Sequence, residues 1–411
     1  MDDLRAALPG FDPDAPLPSA PEPWDSLPMP ALREGPPWAM AEMIAAEPTL
    51  AARIVGRLLA DGSASELAGA VREAGETGAP VVVTGCGTSE HGAMAAAAIL
   101  REGWRSAGFE GWGPVSVQAF ELAQDAPSRG LVIGISHEGA TGATIAALSA
   151  ARSRGARTAL ITASAGAPAS AAADIVLATA ELDRSWCHTV GYTSPIVTAT
   201  AVTGILVGGT PNPDRPGRRL AAGIQAAHAA GSDGSRPDAR IGTTIGAARH
   251  LLVIASGVDR ITGRELTLKV EEAAYVPSAM RDLETLLHGH LPATGPGTAL
   301  VLVLLERGSL EARASRARQA LAAATATGAT CAAIVGADAA TRIPEVLTPG
   351  GRVVVPELGD MPNAPAALMG AAGPLQLVAL EVALARGTNP DPIRRNEAVY
   401  LRAAEVADAE R

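Results

Sequence analysis

The 411-residue chain is 47% hydrophobic and 18% charged, which excludes a disordered protein and leaves room for two domains with cores of their own. Its formal net charge of −10 supplies no basic face for nucleic acid or for an anionic membrane. Cys86, Cys187 and Cys331 lie far apart without metal-binding spacing, so neither a disulfide framework nor a zinc site is expected, and a reducing cytoplasm suits the chain; no cofactor is expected either.

Residues 1–36 open with acid and are punctuated by proline, the opposite of a secretory leader, and read as an N-terminal arm. A first domain is expected over 37–215. It opens with an amphipathic helical pattern from Pro37 to Leu59, interrupted at Pro48. PVVVTG at 80–85 and GLVIGI at 130–135 are apolar runs that each lead through a glycine turn into a helical stretch, and RTALIT at 157–162 and DIVLAT at 174–179 read as further buried strands. Ser185 to Pro213 is almost uncharged but rich in Thr, Gly and Pro, which fits buried core rather than a membrane span.

A linker helix is expected over 216–240, after which the plan restarts in a second domain at 241–385. HLLVIASG, ALVLVLLE, ATCAAIVG and RVVVP are its strand candidates, with helices at 262–276, 310–327 and 366–386. Residues 386–411 form a C-terminal tail. Strand, turn and helix in alternation imply an α/β fold of two tandem units, each a parallel sheet covered on both faces by helices.

In such sheets ligands bind beyond the carboxyl ends of strands, where helix amino termini present unpaired N–H groups. Two turns have that context: Gly85-Cys86-Gly87-Thr88-Ser89 and Ser136-His137-Glu138-Gly139-Ala140-Thr141. Both combine hydroxyls with glycine, a mixture suited to an anion, although Ser and Thr also serve as plain helix caps. A third feature is the stripe Glu265, Lys269 and Glu272, spaced i, i+4 and i+7 on one helix face, with Leu266, Val270 and Ala273 on a neighbouring face that seats the helix. Taken alone, the stripe reads as a solvated face with one Glu–Lys pair.

Taken together, GCGTS before a helix, SxxGxT, xLxLKxEExxY with a downstream ExLLHG, and PLQLVALEVALARGTNPDPIRRN resemble the tandem sugar isomerase (SIS) domains of the isomerase half of glucosamine-6-phosphate synthase, from about Trp38 to Arg402. The resemblance implies two flavodoxin-like three-layer sandwiches and a sugar site between them, with the C-terminal tail over it and a second subunit completing it in a homodimer. It assigns Gly87, Thr88, Ser89, Ser136, His137, Glu138, Thr141 and Ser194 to the sugar and its phosphate. Glu272 becomes the proton shuttle between C1 and C2, Lys269 its assistant, His288 the ring opener donated by the neighbour, and Glu265 a further carboxylate of the same helix.

The chain departs from that pattern in three ways. A short Pro-rich arm stands where the family has its glutaminase domain, so no glutaminase activity is expected. Glu138 replaces a phosphate-binding hydroxyl, and unit charges about 4 Å apart at an effective dielectric near 20 repel by roughly 4 kcal/mol, which disfavours a phosphate unless Glu138 turns away or is protonated. Val399 stands where the family's carbonyl-approaching Lys belongs, so no Schiff base forms from that position. The expected activity is aldose–ketose isomerisation, or deamination or deglycation of an amino sugar, on a substrate lacking the 6-phosphate or carrying an amine or hydroxyl there. The alternative is a sugar-sensing protein without catalysis. His91 and His188 lack partners at metal spacing and read as core or rim residues.

Overall fold

In the computed structural model, which describes residues 2–26, 28–232, 234–359 and 361–408, the expected tandem units are present. A short helix α1 (Asp2–Ala6) opens the arm, and α2 (Ala39–Ala60) and α3 (Ser63–Thr77) lead into the first sheet. There follow β1 (Val81–Thr84), α4 (Thr88–Ser106), β2 (Val115–Ser116), α5 (Ala119–Gln124), β3 (Leu131–Ile135), α6 (Gly142–Arg154), β4 (Arg157–Thr162), β5 (Ile175–Ala178) and α7 (Val190–Leu206). The helices α8 (Asp214–His228) and α9 (Pro237–Ala247) come next.

The second unit runs β6 (His250–Ala255), α10 (Asp259–Ala274), β7 (Ser278–Asp282), the single turn α11 (Leu283–Thr285), β8 (Thr298–Leu304), α12 (Leu310–Ala326), β9 (Thr330–Gly336), the single turn α13 (Ala337–Ala340), β10 (Arg352–Val355), α14 (Asn363–Arg386) and α15 (Ala398–Asp408).

Both sheets are parallel and share one topology. The first has the order β2-β1-β3-β4-β5, and the second, read from the other edge, is β7-β6-β8-β9-β10. This is the doubly wound flavodoxin-like order, whose switch point lies between the first and third strands. Alternate strand residues face opposite layers. Val83, Ile133 and Ile161 of the first sheet and Val253, Val301 and Ile334 of the second all point into one apolar cluster shared by the two units, through α4, α7 and α14. Their neighbours Val132 and Leu160 pack outward under α6, and Leu300 and Leu302 pack outward under α12. The helical layer held in common brings the two units' strand ends to one junction.

Helix α2 runs unbroken through Pro48, contrary to the interruption expected there. Proline costs the helix a hydrogen bond, but Met43, Ile44, Leu50 and Ile54 are fully buried around it, and that packing outweighs the local loss. Helix α14 is long and apolar enough to cross a membrane, yet 89% of its most apolar window is buried inside the fold. Its lack of amphipathic pattern reflects partners on every side. The arm lies against the first unit: Leu17 N–H donates to Glu181 at 3.0 Å, and Trp24 Nε1 donates to the carbonyl of Glu138 at 3.3 Å.

Candidate active site

The pairing of β1 with β3 sets the two glycine turns side by side at the switch point. In the first, Gly87 has φ +58°, a conformation other residues adopt at a cost, and a Cβ on Gly85 would lie 2.5 Å from the Ser89 carbonyl oxygen. In the second, Gly139 has φ +72° and a Cβ there would meet that of Ala167 at 2.2 Å. The cap residues of the following helices, Gly87 for α4 and Thr141 for α6, make no side-chain cap. In α4 the N–H groups of Ser89 and Glu90 donate to the carbonyls of Cys86 and Gly87 at 3.1 and 2.9 Å, while the first turn of α6 faces the cleft without a side-chain cap.

The cleft measures about 590 Å³. Gly87, Thr88, Ser89, His137, Glu138 and Thr141, all expected from the sequence, line it together with Glu272 of the second unit. Cys86, Trp186, His188 and Arg395 also line it, and Ala404 and Ala407 of α15 lie across it. Two of the residues expected to bind the sugar are not on its surface. Ser136 is buried beneath the turn, its hydroxyl 3.4 Å from that of Thr141, and Ser194 is buried within α7. His288 lies on the loop after β7 with its side chain 69% exposed and paired to Glu284 at 2.7 Å, outside the cleft of its own chain. Val399 is exposed on α15.

The charged stripe of α10 is not a solvated face. Glu265 and Lys269 are fully buried because α10 packs between α4 and α14. Glu265 Oε2 lies 2.6 Å from Nδ1 of His91 on α4, so the histidine read as a core or rim residue is the partner of a buried carboxylate. Lys269 Nζ lies 3.6 Å from Glu265 Oε1 and 2.5 Å from Glu272 Oε2. Burial opposes the charge on Lys269, but Glu272 and Glu265 outweigh it and raise its pKa. Glu272, 22% exposed at its side chain, carries the end of this buried chain of charges into the cleft.

A second polar cluster stands on the first-unit wall. Asp183 heads α7: its Oδ2 accepts from the N–H groups of Thr189, Val190 and Gly191 at 2.7, 2.8 and 3.4 Å, and its Oδ1 accepts from Ser185 N–H at 3.1 Å. The N–H of Asp183 donates to Nε2 of His137 at 2.9 Å. Ligand atoms of His137, Asp183 and His188 come within 4.8 Å of one another, yet His137 Nε2 and both Asp183 oxygens are already engaged by backbone donors. The arrangement serves hydrogen bonding rather than metal binding.

His137 yields a pH prediction. Burial first, and the neighbouring His188 second, push its pKa down from 6.5 to about 4 against the pull of Asp183. Between those values the unfolded chain binds a proton that the native chain refuses, so this histidine's contribution to stability falls as pH drops from 6.5 to 4. Measured by urea unfolding, wild type should lose roughly 3 kcal/mol relative to His137→Gln across that window. A difference independent of pH would mean that the imidazole takes up protons freely in the folded state.

In the equivalent turn of the second unit a carboxylate takes up a backbone donor. Glu306 Oε2 accepts from Val258 N–H at 2.6 Å and Oε1 pairs with Arg313 at 2.5 Å.

Residues 79–207, which hold both glycine turns, match the family model of the SIS domain. The first unit is similar to a SIS domain over those residues. The second repeats the SIS unit's strand order, and solved structures match across both. The C-terminal domain of glucosamine-fructose-6-phosphate aminotransferase from Francisella tularensis superposes with a TM-score of 0.71 at 18% identity, covering 88% of this chain and 99% of that one. Tagatose-6-phosphate ketose/aldose isomerase from Escherichia coli gives 0.66 at 17%, covering 89% and 97%. Glucosamine-6-phosphate deaminase from Thermotoga maritima gives 0.58 at 16%, covering 76% and 87%. No curated protein sequence matches the chain. At these identities the likeness shows the fold alone.

Proposed function

We propose that this protein is an enzyme of the sugar isomerase type, binding a carbohydrate derivative in the cleft between the two units and transferring a proton between C1 and C2. The observation that carries the reading is that Glu272, in contact with Lys269, opens into the same cleft as Thr88 and Ser89. A base serving two adjacent carbons must be fixed close to both. Lys269 fixes Glu272: it is fully buried and has no freedom to leave.

In this reading Glu272 removes the C2 proton from the open-chain sugar, electron density moves onto the C1 oxygen as an enediol forms, and the same carboxyl returns the proton to C1. With a 2-amino sugar the same transfer leaves an imine at C2, and addition of water there releases ammonia. The neighbours' names cover both outcomes, ketose/aldose isomerase and deaminase. Glu265 supports Lys269 from behind. His288 lies outside the cleft of its own chain, so the reading takes ring opening from a second copy in a homodimer. The three cysteines form no disulfide, which suits a cytoplasmic enzyme.

The test is to incubate the protein in D2O with fructose, glucosamine and their 6-phosphates and to follow C1 and C2 proton exchange by NMR. Exchange on at least one sugar is expected. Ligand binding without exchange on any of them would favour the non-catalytic sensor and overturn the reading.

A further inference from the structure

Glu138 stands where the resemblance calls for a hydroxyl, and its surroundings define what it faces. The carboxylate does not turn out to solvent: it lines the cleft, and Oε1 lies 3.8 Å from Nε2 of His188. On the far side of that ring, Nδ1 lies 3.7 Å from Asp183 Oδ2, an ion-pair distance rather than a hydrogen bond. Asp183 is itself immobilised by its four backbone donors, so the imidazole is backed by a fixed negative charge. His137 packs beside it, ring centroids 5.3 Å apart. Burial disfavours a charge on His188 and Lys269 adds to that, while Asp183 and Glu138 outweigh both and raise its pKa.

We infer that Glu138 and His188 act as one acceptor–donor pair that reads a hydroxyl of the substrate, so that the sugar is bound without a phosphate at that end. The inference rests on the proposed function, which places the sugar in this cleft with its reacting carbons at Glu272. A hydroxyl oxygen accepts from His188 Nε2 while its proton is donated to Glu138 Oε1, which satisfies both side chains at once. A phosphate satisfies only the imidazole and meets repulsion from Glu138 that cancels the attraction of His188, since both side chains lie at the same turn. An ammonium group meets the converse conflict with His188. A neutral hydroxyl uses the whole pair, and a site built to bond one discriminates strongly against groups that leave either half unpaired.

Binding and turnover separate the two readings. Titration of fructose and fructose 6-phosphate, followed by tryptophan fluorescence through Trp186 in the cleft wall, measures the affinity ratio whether or not the sugar reacts. Wild type should prefer the unphosphorylated sugar. Glu138→Ser, which restores the hydroxyl of the resemblance, should shift the ratio toward the phosphorylated sugar by about tenfold or more, while His188→Gln should weaken the unphosphorylated sugar. Glu138 is partly exposed, and Glu138→Gln, which keeps its size, controls for any folding defect: it should also move the ratio toward phosphate. A wild-type preference for the phosphorylated sugar, or a ratio unmoved in both Glu138 variants, overturns the inference even where C2 exchange proceeds. Absence of exchange with the affinity ratio as expected overturns the proposed reaction and leaves the hydroxyl pair standing.

Discussion

Glu272→Gln is expected to reduce C1/C2 proton exchange by about 10²–10⁴-fold, the range typical for losing a positioned general base, while ligand affinity changes little. The amide has the shape of the carboxylate, and its oxygen can still accept from Lys269 Nζ. What it lacks is the basic lone pair that accepts a carbon-bound proton. The fold should survive the change, because Lys269 keeps Glu265 as a counter-ion at 3.6 Å and Glu272 is the partly exposed member of the group. Exchange rates in D2O, read beside a binding titration on the same preparation, separate the two effects. A variant that exchanges at the wild-type rate would remove Glu272 from the chemistry and leave the cleft a binding site.

Among the described residues, apolar runs mark eight of the ten strands, because strands facing apolar layers read as runs of Val, Ile, Leu and Ala. The other two are edge strands. β2 has two residues, and β7, SAMRD, is half-polar and only partly buried, so neither presents a periodic signal. The stripe on α10 was legible as spacing and misread as environment. Spacing says that Glu265, Lys269 and Glu272 share a face, but what covers that face is α4, whose His91 lies 174 positions earlier in the chain.

The same limit hid His188. Its neighbours Asp183 and Glu138 come from the approach to α7 and from the β3–α6 turn, and no short motif joins them. The asymmetry between the units was hidden likewise: Glu306 follows an apolar strand much as Ser136 does, and only its bond to Val258 N–H shows that a carboxylate takes up the backbone donor there. The turns themselves were legible because glycine at a positive φ and hydroxyls at a helix start are local requirements. Ser194 was carried by the resemblance alone, and α7 buries it.

Lys269→Met should destabilise the protein by about 3–5 kcal/mol, the usual cost of removing one member of a buried ion pair. The thioether fills most of the volume, so the loss is electrostatic rather than a cavity. Without the ammonium, Glu265 is left fully buried with His91 as its one close partner, and Glu272 loses the cation that holds it at the cleft. Activity should therefore fall together with stability. Adding Glu265→Gln removes the stranded carboxylate, and the double variant should recover part of the lost stability, a coupling of roughly 0.5–3 kcal/mol for groups in contact. Activity should not return with it, because Glu272 remains without its anchor. Urea unfolding of the two single variants and the double variant measures the coupling. Additive losses would mean that Lys269 and Glu265 are stabilised independently, and the chain of charges from His91 to Glu272 would then not act as a unit.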